Sequence, residues 1–186
     1  KEGCASGDCG ACTVVLAEVD EETLSYKSVN ACIGFIGSLH GKQLITVEHL
    51  KNGEVLHPVQ QALVDNHGSQ CGFCTPGFVM SSFALHKNNP TPDREEVMEA
   101  LAGNLCRCTG YRSIIDAAMT PSDESVVDAF VAAEQKTIAR LKEIQQQALK
   151  VLKVGENVFY SPATVDSLAQ LLLNKPKATL VAGGTD

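Results

Sequence analysis

Short runs of β-branched and apolar residues near the start of the chain indicate a small β-sheet. They lie at residues 13–16 (Thr-Val-Val-Leu), 25–31 and 44–48 (Leu-Ile-Thr-Val-Glu). Turn-forming residues, such as the acidic run at 20–22, separate these segments. Runs of this length and composition, bounded by turn residues, are typical of strands. We therefore predict three strands over about residues 1–50.

From His57 onward the apolar positions take the spacing of helices. Proline at the first helical position and glycine just past the end mark helix boundaries. On this pattern we predict four short helices: one from Pro58 to Gly68, one from Pro76 with Thr75 as its N-cap, one from Pro92 with Thr91 as its N-cap and Gly103 as its stop, and one after Thr109-Gly110. Four short helices in succession favour a compact bundle over residues 51–120.

The rest of the chain changes character twice. Residues 122–153 are polar and helix-favouring, and their apolar residues recur at helical spacing, which predicts a connecting helix packed on a neighbour. These apolar residues are Ile138, Leu141, Ile144 and Ala148. From Asn157, a strand, a helix at about 164–173 and a strand ending at Ala182 predict the start of a separate α/β unit. The fold class expected from the whole pattern is α+β.

Composition and charge exclude several classes of protein. Across 186 residues, 15 lysines and arginines against 22 aspartates and glutamates give a net charge of −7, which disfavours nucleic acid as a partner. The 44% apolar content fits a globular core. No apolar run reaches the roughly 20 residues that span a bilayer, and no secretory signal is visible, so we expect a cytoplasmic protein without a membrane partner. Because the chain starts in a glycine-rich loop and stops in a glycine turn, we also expect a fragment of a longer protein.

Eight cysteines are the most informative feature of the composition. They are too sparse for a disulfide mini-protein, and a chain of this length folds without disulfide bonds. Cysteines gathered in close pairs, in a chain without an export signal, favour metal binding over cross-linking.

The first set of cysteines has the spacing C-x4-C-x2-C-x19-C. Its members are Cys4, Cys9, Cys12 and Cys32. This is the spacing of plant-type 2Fe-2S sites, whose loop must turn sharply around the cluster. We expect Gly3, Gly7 and Gly10 to supply the positive φ angles that let backbone N–H groups approach the sulfur atoms. The alternative is zinc, but structural zinc pairs its cysteines in two knuckles, whereas three cysteines here lie within nine residues.

The second set has the spacing C-x2-C-x31-C-x-C. Its members are Cys71, Cys74, Cys106 and Cys108. Each pair stands just before a predicted helix, and helix N-termini favour thiolates. The two cysteines of a C-x-C pair are also too close together in sequence to coordinate one tetrahedral zinc ion comfortably. We therefore predict a second 2Fe-2S cluster, with a zinc-stabilised interaction module as the alternative.

Three segments of the chain resemble a known family. They are residues 3–13 (Gly-Cys-Ala-Ser-Gly-Asp-Cys-Gly-Ala-Cys-Thr), 67–77 (His-Gly-Ser-Gln-Cys-Gly-Phe-Cys-Thr-Pro-Gly) and 103–111 (Gly-Asn-Leu-Cys-Arg-Cys-Thr-Gly-Tyr). These segments are similar to the iron–sulfur part of molybdenum hydroxylases (the xanthine oxidase family), and within it most to the small iron–sulfur/FAD subunit of bacterial xanthine dehydrogenase. The resemblance is strong over about residues 1–120 and weaker over 157–186.

The resemblance implies a domain order. Residues 1–50 would form a plant-ferredoxin-like β-grasp domain that lacks its N-terminal part, and 51–120 a four-helix 2Fe-2S domain. Residues 121–156 would be a linker, and 157–186 the start of an α/β FAD-binding domain. In such a domain a strand and glycine turn contact the FAD pyrophosphate, and here the matching residues are Leu180, Val181, Ala182, Gly183, Gly184, Thr185 and Asp186. Backbone N–H groups of a glycine turn suit phosphate, and the turn is not the G-x-G-x-x-G fingerprint of Rossmann folds.

The resemblance also implies a function. A molybdopterin site on a partner chain or region would hydroxylate a purine such as hypoxanthine or xanthine. Its electrons would pass to the second cluster, the first cluster, FAD and finally NAD. Gln70 and Cys108 would contact the molybdopterin. This chain shows no nucleophile–base pair, so we expect no catalytic residue in it. The alternatives are an aldehyde- or N-heterocycle-oxidising molybdenum hydroxylase and a stand-alone ferredoxin-like electron carrier.

Overall fold

The computed structural model of the chain describes residues 1–120, 128–146 and 151–183. A three-stranded antiparallel sheet comes first, with strands β1 (Thr13–Asp20), β2 (Thr23–Asn30) and β3 (Gln43–Ile45) in the order β2-β1-β3. The sheet confirms the three predicted strands, although β3 is shorter than predicted. After Ile45 the chain turns into a short 3-10 helix at Val47–His49, which the Thr46 and His49 side chains cap.

The four predicted helices are present. They are α1 (Pro58–Asp65), α2 (Thr75–Asn88), α3 (Arg94–Leu101) and α4 (Arg112–Ala118). Two predicted starts were wrong. Thr75 is already helical, and its N-cap is Cys74. The third helix starts after Asp93 rather than Thr91, because Asp93 Oδ1 accepts the Glu96 N–H at 2.9 Å and Glu96 Oε2 accepts the Asp93 N–H at 2.8 Å.

Helix α2 is the centre of the core. It is buried on all sides between the sheet and the other helices, with Phe78, Met80 and Phe83 at most 1% exposed. All residues from 77 to 84 are buried, so this part of the helix has no solvent-exposed face and belongs inside the protein. Phe83 meets Tyr26 of β2 edge-to-face, with the ring centroids 6.0 Å apart. The sheet and the helices therefore share one hydrophobic core.

The predicted connecting helix is present as α5 (Ala129–Gln146), which packs on the sheet through the buried Ile138 and Leu141. Ala148 lies outside the described residues. Just before the helix, Asp128 forms an ion pair with Lys87 of α2 at 3.1 Å and lies 3.7 Å from His57. Burial opposes ionisation of this carboxyl group, but His57, the Phe130 N–H and Lys87 together lower its pKa to about 2.

The last described elements are a hairpin of β4 (Val151–Val154) and β5 (Asn157–Tyr160), followed by α6 (Val165–Asn174). The prediction that the connecting helix reaches residue 153 was wrong, because residues 151–154 form a strand that pairs with β5 across a turn at Gly155. The predicted strand ending at Ala182 was also wrong within the described residues. Leu180 and Val181 are 64% and 50% exposed and pair with no other strand there, and a strand exists only through such pairing.

Antiparallel sheets with helices segregated from them make the chain a mixed α+β protein, as predicted. No helix in the described ranges is both long and apolar enough to cross a membrane.

Candidate metal centres

The first four cysteines are brought together by the β1–β2 hairpin. Cys12 precedes β1, Cys32 follows β2, and the pairing of Thr13 with Asn30 places the two cysteines side by side. The Cys32 N–H points at Cys12 Sγ at 3.4 Å, and the Cys12 side chain raises the pKa of the Cys32 thiol. The hairpin thus delivers one pair of thiols.

The loop before β1 wraps backbone N–H groups around a sulfur atom. The N–H groups of Ser6, Asp8 and Cys9 all point at Cys4 Sγ, at 3.3–3.4 Å. The Ser6 hydroxyl, together with these N–H groups, lowers the pKa of the Cys4 thiol to about 6. Hydrogen bonds to the charged form of a thiol favour the thiolate, which is the form that binds a metal.

The loop's glycines only partly match the prediction. Gly7 and Gly10 have φ angles of 77° and 67°, as expected, but Gly3 is not in the left-handed region, and Ala5 takes a φ of 61° instead. A Cβ atom at Gly3 would lie 2.8 Å from Cys9 Sγ, so a side chain at this position would displace that thiol. Ala5 was missed because a left-handed alanine has no local sequence signal.

The second four cysteines lie at helix starts, as predicted. Cys71 and Cys74 precede α2, and Cys106 and Cys108 lie in the loop before α4. The thiols form two pairs, Cys71 with Cys108 and Cys74 with Cys106. They line an open cavity of about 430 Å³.

The two thiols of each pair differ in acidity. Burial, with the neighbouring Cys106, raises the pKa of Cys74 to about 11. Burial acts in the same direction on Cys106, but hydrogen bonds from Thr109 outweigh it and lower the pKa of Cys106 to about 7. In the other pair, the Phe73 N–H lowers the pKa of Cys71, and the Cys71 side chain raises the pKa of Cys108.

The pairwise arrangement of the thiols tests which metal group they fit. Over residues 1–120, 128–146 and 151–183, no three cysteine, histidine or carboxylate side chains gather as ligands of one ion. A structural zinc ion needs four donors around one point. A 2Fe-2S cluster instead takes two protein ligands on each of its two irons. The two thiol pairs of the second set line one cavity and so fit a cluster that takes two protein ligands on each iron.

The two cysteine loops touch each other directly. The Leu105 N–H, next to Cys106, donates to the Cys9 carbonyl at 3.0 Å. The adjacent Asn104 is 3% exposed, and its Nδ2 donates to the Gly10 carbonyl at 3.0 Å. Sequence reasoning missed Asn104, because two of its partners, Gly10 and Thr13, lie more than 90 residues away along the chain.

The remaining predicted site residues lie at the surface. Gln70 is exposed beside Cys71, and Cys108 is also exposed. Of the predicted FAD turn, Leu180, Val181, Ala182 and Gly183 are exposed, and Gly183 has a φ of 85°. Gly184, Thr185 and Asp186 lie outside the described residues.

Comparison with known proteins identifies the family. A profile for a 2Fe-2S binding domain matches residues 46–119. Xanthine dehydrogenase/oxidase of Rattus norvegicus is 51% identical, over 100% of this chain and 17% of that protein. Aldehyde oxidase 3 of Mus musculus is 34% identical, also over 100% of this chain and 17% of that protein. Quinoline 2-oxidoreductase from Pseudomonas putida 86 has a solved structure that matches with a TM-score of 0.57 and 39% identity, over 65% of this chain and 70% of that one.

The chain belongs to the molybdenum hydroxylase family. It corresponds to the iron–sulfur portion of these oxidoreductases, which confirms the resemblance drawn from the cysteine motifs. It spans only 17% of the length of the rat and mouse relatives.

Proposed function

We propose that the chain is the electron-transfer portion of a molybdenum hydroxylase that resembles xanthine dehydrogenase. It passes electrons from a molybdopterin site on a partner chain or region, through two 2Fe-2S clusters, to FAD and then NAD during purine hydroxylation. A bound 2Fe-2S cluster supplies a one-electron carrier. The proposed ligands are Cys4, Cys9, Cys12 and Cys32 for the first cluster, and Cys71, Cys74, Cys106 and Cys108 for the second.

The observation that carries this proposal is the direct contact between the two cysteine loops. A single hydrogen bond of 3.0 Å, from the Leu105 N–H to the Cys9 carbonyl, joins a ligand of one proposed site to the neighbour of a ligand of the other. Electron transfer weakens steeply with distance, so a carrier with two centres needs them close together. Two zinc sites would need no such contact.

The proposed division of the chain into domains follows from its similarity to molybdenum hydroxylases. Residues 1–50 form the ferredoxin-like unit, 51–120 the helical 2Fe-2S unit, 121–156 the linker and 157–186 the start of the FAD-binding unit. In the last unit, the exposed residues Leu180 to Gly183 offer backbone N–H groups to the FAD pyrophosphate. Cysteines remain available as cluster ligands where thiols are kept reduced, which supports the cytoplasm.

Electrons enter the chain, on this proposal, at the face that carries Gln70 and Cys108. Both residues are exposed, and the Gln70 amide offers a donor and an acceptor to a pterin edge. In the assembled enzyme, Gln70→Ala should leave both clusters intact and slow their reduction by substrate, because a positioning contact is lost. If the first cluster is still reduced at the normal rate after Cys108→Ala has removed the second, the proposed order of transfer is wrong.

A second candidate substrate class has specific support. Among the relatives, one is named an aldehyde oxidase and another a quinoline 2-oxidoreductase. The same electron-transfer unit can therefore serve an enzyme that oxidises an aldehyde or an N-heterocycle. Turnover of purines, aldehydes and quinolines by the assembled enzyme decides between these classes.

Metal analysis and paramagnetic resonance test the proposal directly. We expect four irons and four sulfides per chain, and two distinct signals after reduction with dithionite. Cys12→Ser should remove one signal and Cys106→Ser the other, since each removes one proposed ligand. A colourless protein that contains zinc, or a single signal that both substitutions abolish, refutes the proposal.

A further inference from the structure

A closed ring of three hydrogen bonds holds the turn that carries Cys106. The Cys106 N–H donates to Tyr111 Oη at 3.0 Å, and the Tyr111 N–H donates to Thr109 Oγ1 at 3.1 Å. Thr109 Oγ1 in turn lies 3.3 Å from Cys106 Sγ. The ring returns to the residue where it starts, so each bond fixes the position of the other two.

The chemistry of the ring sets the direction of the contact between Thr109 and Cys106. A hydroxyl group has one hydrogen to donate. Thr109 Oγ1 already accepts a hydrogen bond from the Tyr111 N–H, so its own hydrogen is available to the sulfur atom. A cysteine that binds a metal does so as a thiolate, which has no hydrogen to give. In the metal-bound protein Thr109 is therefore the donor, and the bond is charge-assisted.

The backbone of the turn is held in an unfavourable conformation. Tyr111 has a φ of 70°, which is uncommon for a residue with a bulky side chain. Its ring packs edge-to-face on the buried Phe78, with the centroids 6.3 Å apart. Such strain persists only where the surroundings over-determine it, and it is concentrated at functional sites. The position of the Thr109 hydroxyl is thus fixed by the fold.

The hydroxyl contact distinguishes Cys106 from the other three cysteines of its set. Within the part of the chain that the structure describes, none of Cys71, Cys74 and Cys108 has a serine, threonine or tyrosine hydroxyl as a hydrogen-bond partner. Cys106 also follows Leu105, whose N–H reaches the carbonyl of Cys9 in the first set. Cys106 is thus the cysteine of the second set whose sequence neighbour hydrogen-bonds to the first cysteine loop.

We propose that Thr109 sets the reduction potential of the second cluster through this hydrogen bond to Cys106. The inference rests on the proposed function, because it assumes that Cys106 is a cluster ligand. Reduction adds one electron, from molybdenum in the proposed enzyme or from dithionite in a test, and so adds one negative charge. A hydrogen bond to a ligand sulfur stabilises that charge and raises the potential. Thr109 is a positioning and tuning residue; it is not itself a ligand.

The test compares Thr109→Val with Thr109→Ser in the cluster-loaded protein. Valine keeps the shape of threonine without the hydroxyl group, and serine keeps the hydroxyl group. Potentiometry followed by paramagnetic resonance measures the midpoint of each cluster separately. We expect Thr109→Val to lower the equilibrium constant for reduction of the second cluster about tenfold. This corresponds to a midpoint potential that is more negative by about 59 mV. The serine variant should retain the original midpoint, and the first cluster should be unchanged in both variants.

Two outcomes overturn the inference. One is an unchanged midpoint of the second cluster in a Thr109→Val protein of full iron content. The other is loss of the second cluster in both Thr109→Val and Thr109→Ala while Thr109→Ser is normal, because the hydroxyl group then serves assembly rather than potential. Failure of the proposed function would be recognised separately, because the unsubstituted protein would then not show two paramagnetic resonance signals.

Discussion

Replacing Asn104 with alanine tests the contact between the two cysteine loops. The Asn104 Nδ2 donates to the Gly10 carbonyl at 3.0 Å and to Thr13 Oγ1 at 3.1 Å. Its Oδ1 accepts a hydrogen bond from the Ser81 hydroxyl at 2.6 Å. All three bonds are buried, and they tie the first cysteine loop to α2 and to the loop that precedes Cys106.

The size of the expected effect follows from what each partner retains. The Gly10 carbonyl keeps the N–H and hydroxyl groups of Thr13, at 3.1 and 2.6 Å, and so stays satisfied. The Ser81 hydroxyl is 3% exposed and loses its acceptor. Three buried hydrogen bonds at a net of about 1 kcal/mol each give a loss of about 3 kcal/mol. For a chain of this length that corresponds to a fall in Tm of roughly 6–12 °C.

Thermal unfolding of the cluster-loaded protein, followed by circular dichroism without oxygen, measures this effect. Asn52→Ala is the matched control, because Asn52 is exposed and its hydrogen bonds to Val55 use only the backbone. Ser81→Ala should cost about 1 kcal/mol, and the double variant should show coupling of a similar size. A fall in Tm below 2 °C for Asn104→Ala, or strict additivity with Ser81→Ala, would refute the reasoning.

Further substitutions test the packing between the loops and the charge cluster beside α5. Gly77→Ala should lower the free energy of unfolding by about 1–3 kcal/mol or more, because its Cβ would lie 2.2 Å from the Gly10 carbonyl oxygen. Gly103→Ala is the control, because a Cβ atom there meets open space. Equal losses in Tm for the two variants would contradict this. Asp128→Asn should destabilise by about 1–2 kcal/mol at neutral pH, because the carboxylate pairs with Lys87. The pKa of Asp128 is lowered to about 2 in the folded state, so its stabilisation is present above the ordinary value of 3.8 and is lost as pH falls towards 2. The difference in stability between the two proteins should hold from pH 7 to about pH 5 and shrink as pH falls from about 5 towards 2, and a difference that stays constant down to pH 2 would argue against the ion pair.

The strands and helices that could be predicted from the sequence are those marked by a few neighbouring residues. The β-branched runs gave β1 and β2, and proline at the start of α1 and α2 located those helices to within a residue or two. The eight cysteines could be singled out because metal-ligand spacing is itself a sequence pattern, and their assignment as cluster ligands stays a prediction. The hairpin strand β4 was missed, since its four residues follow directly on a helical run and are defined by pairing with β5.

Residues that act through distant contacts could not be predicted in the same way. The partners of Asn104 at Gly10 and Thr13 are separated from it by more than 90 residues. Thr109 and Tyr111 lie only a few residues from Cys106, but the ring that they form requires a left-handed tyrosine, and propensity disfavours that conformation. The wrong strand at Ala182 has a related cause, because a short apolar run becomes a strand only where a partner strand pairs with it.

The contact between the loops explains why the three motifs contain more than their cysteines. Each motif contributes one small or amide residue to the same point: Gly10 from the first, Gly77 from the second and Asn104 from the third. A Cβ atom at Gly10 would lie 2.3 Å from the Gly103 carbonyl oxygen, and one at Gly77 would lie 2.2 Å from the Gly10 carbonyl oxygen. The loops therefore meet backbone to backbone, and no rotation of a side chain can change how closely they approach. On the proposed function, the separation of the two clusters is then set by the same main-chain packing that holds the sheet against the helices, so substitutions at this contact should alter both stability and the rate of electron transfer.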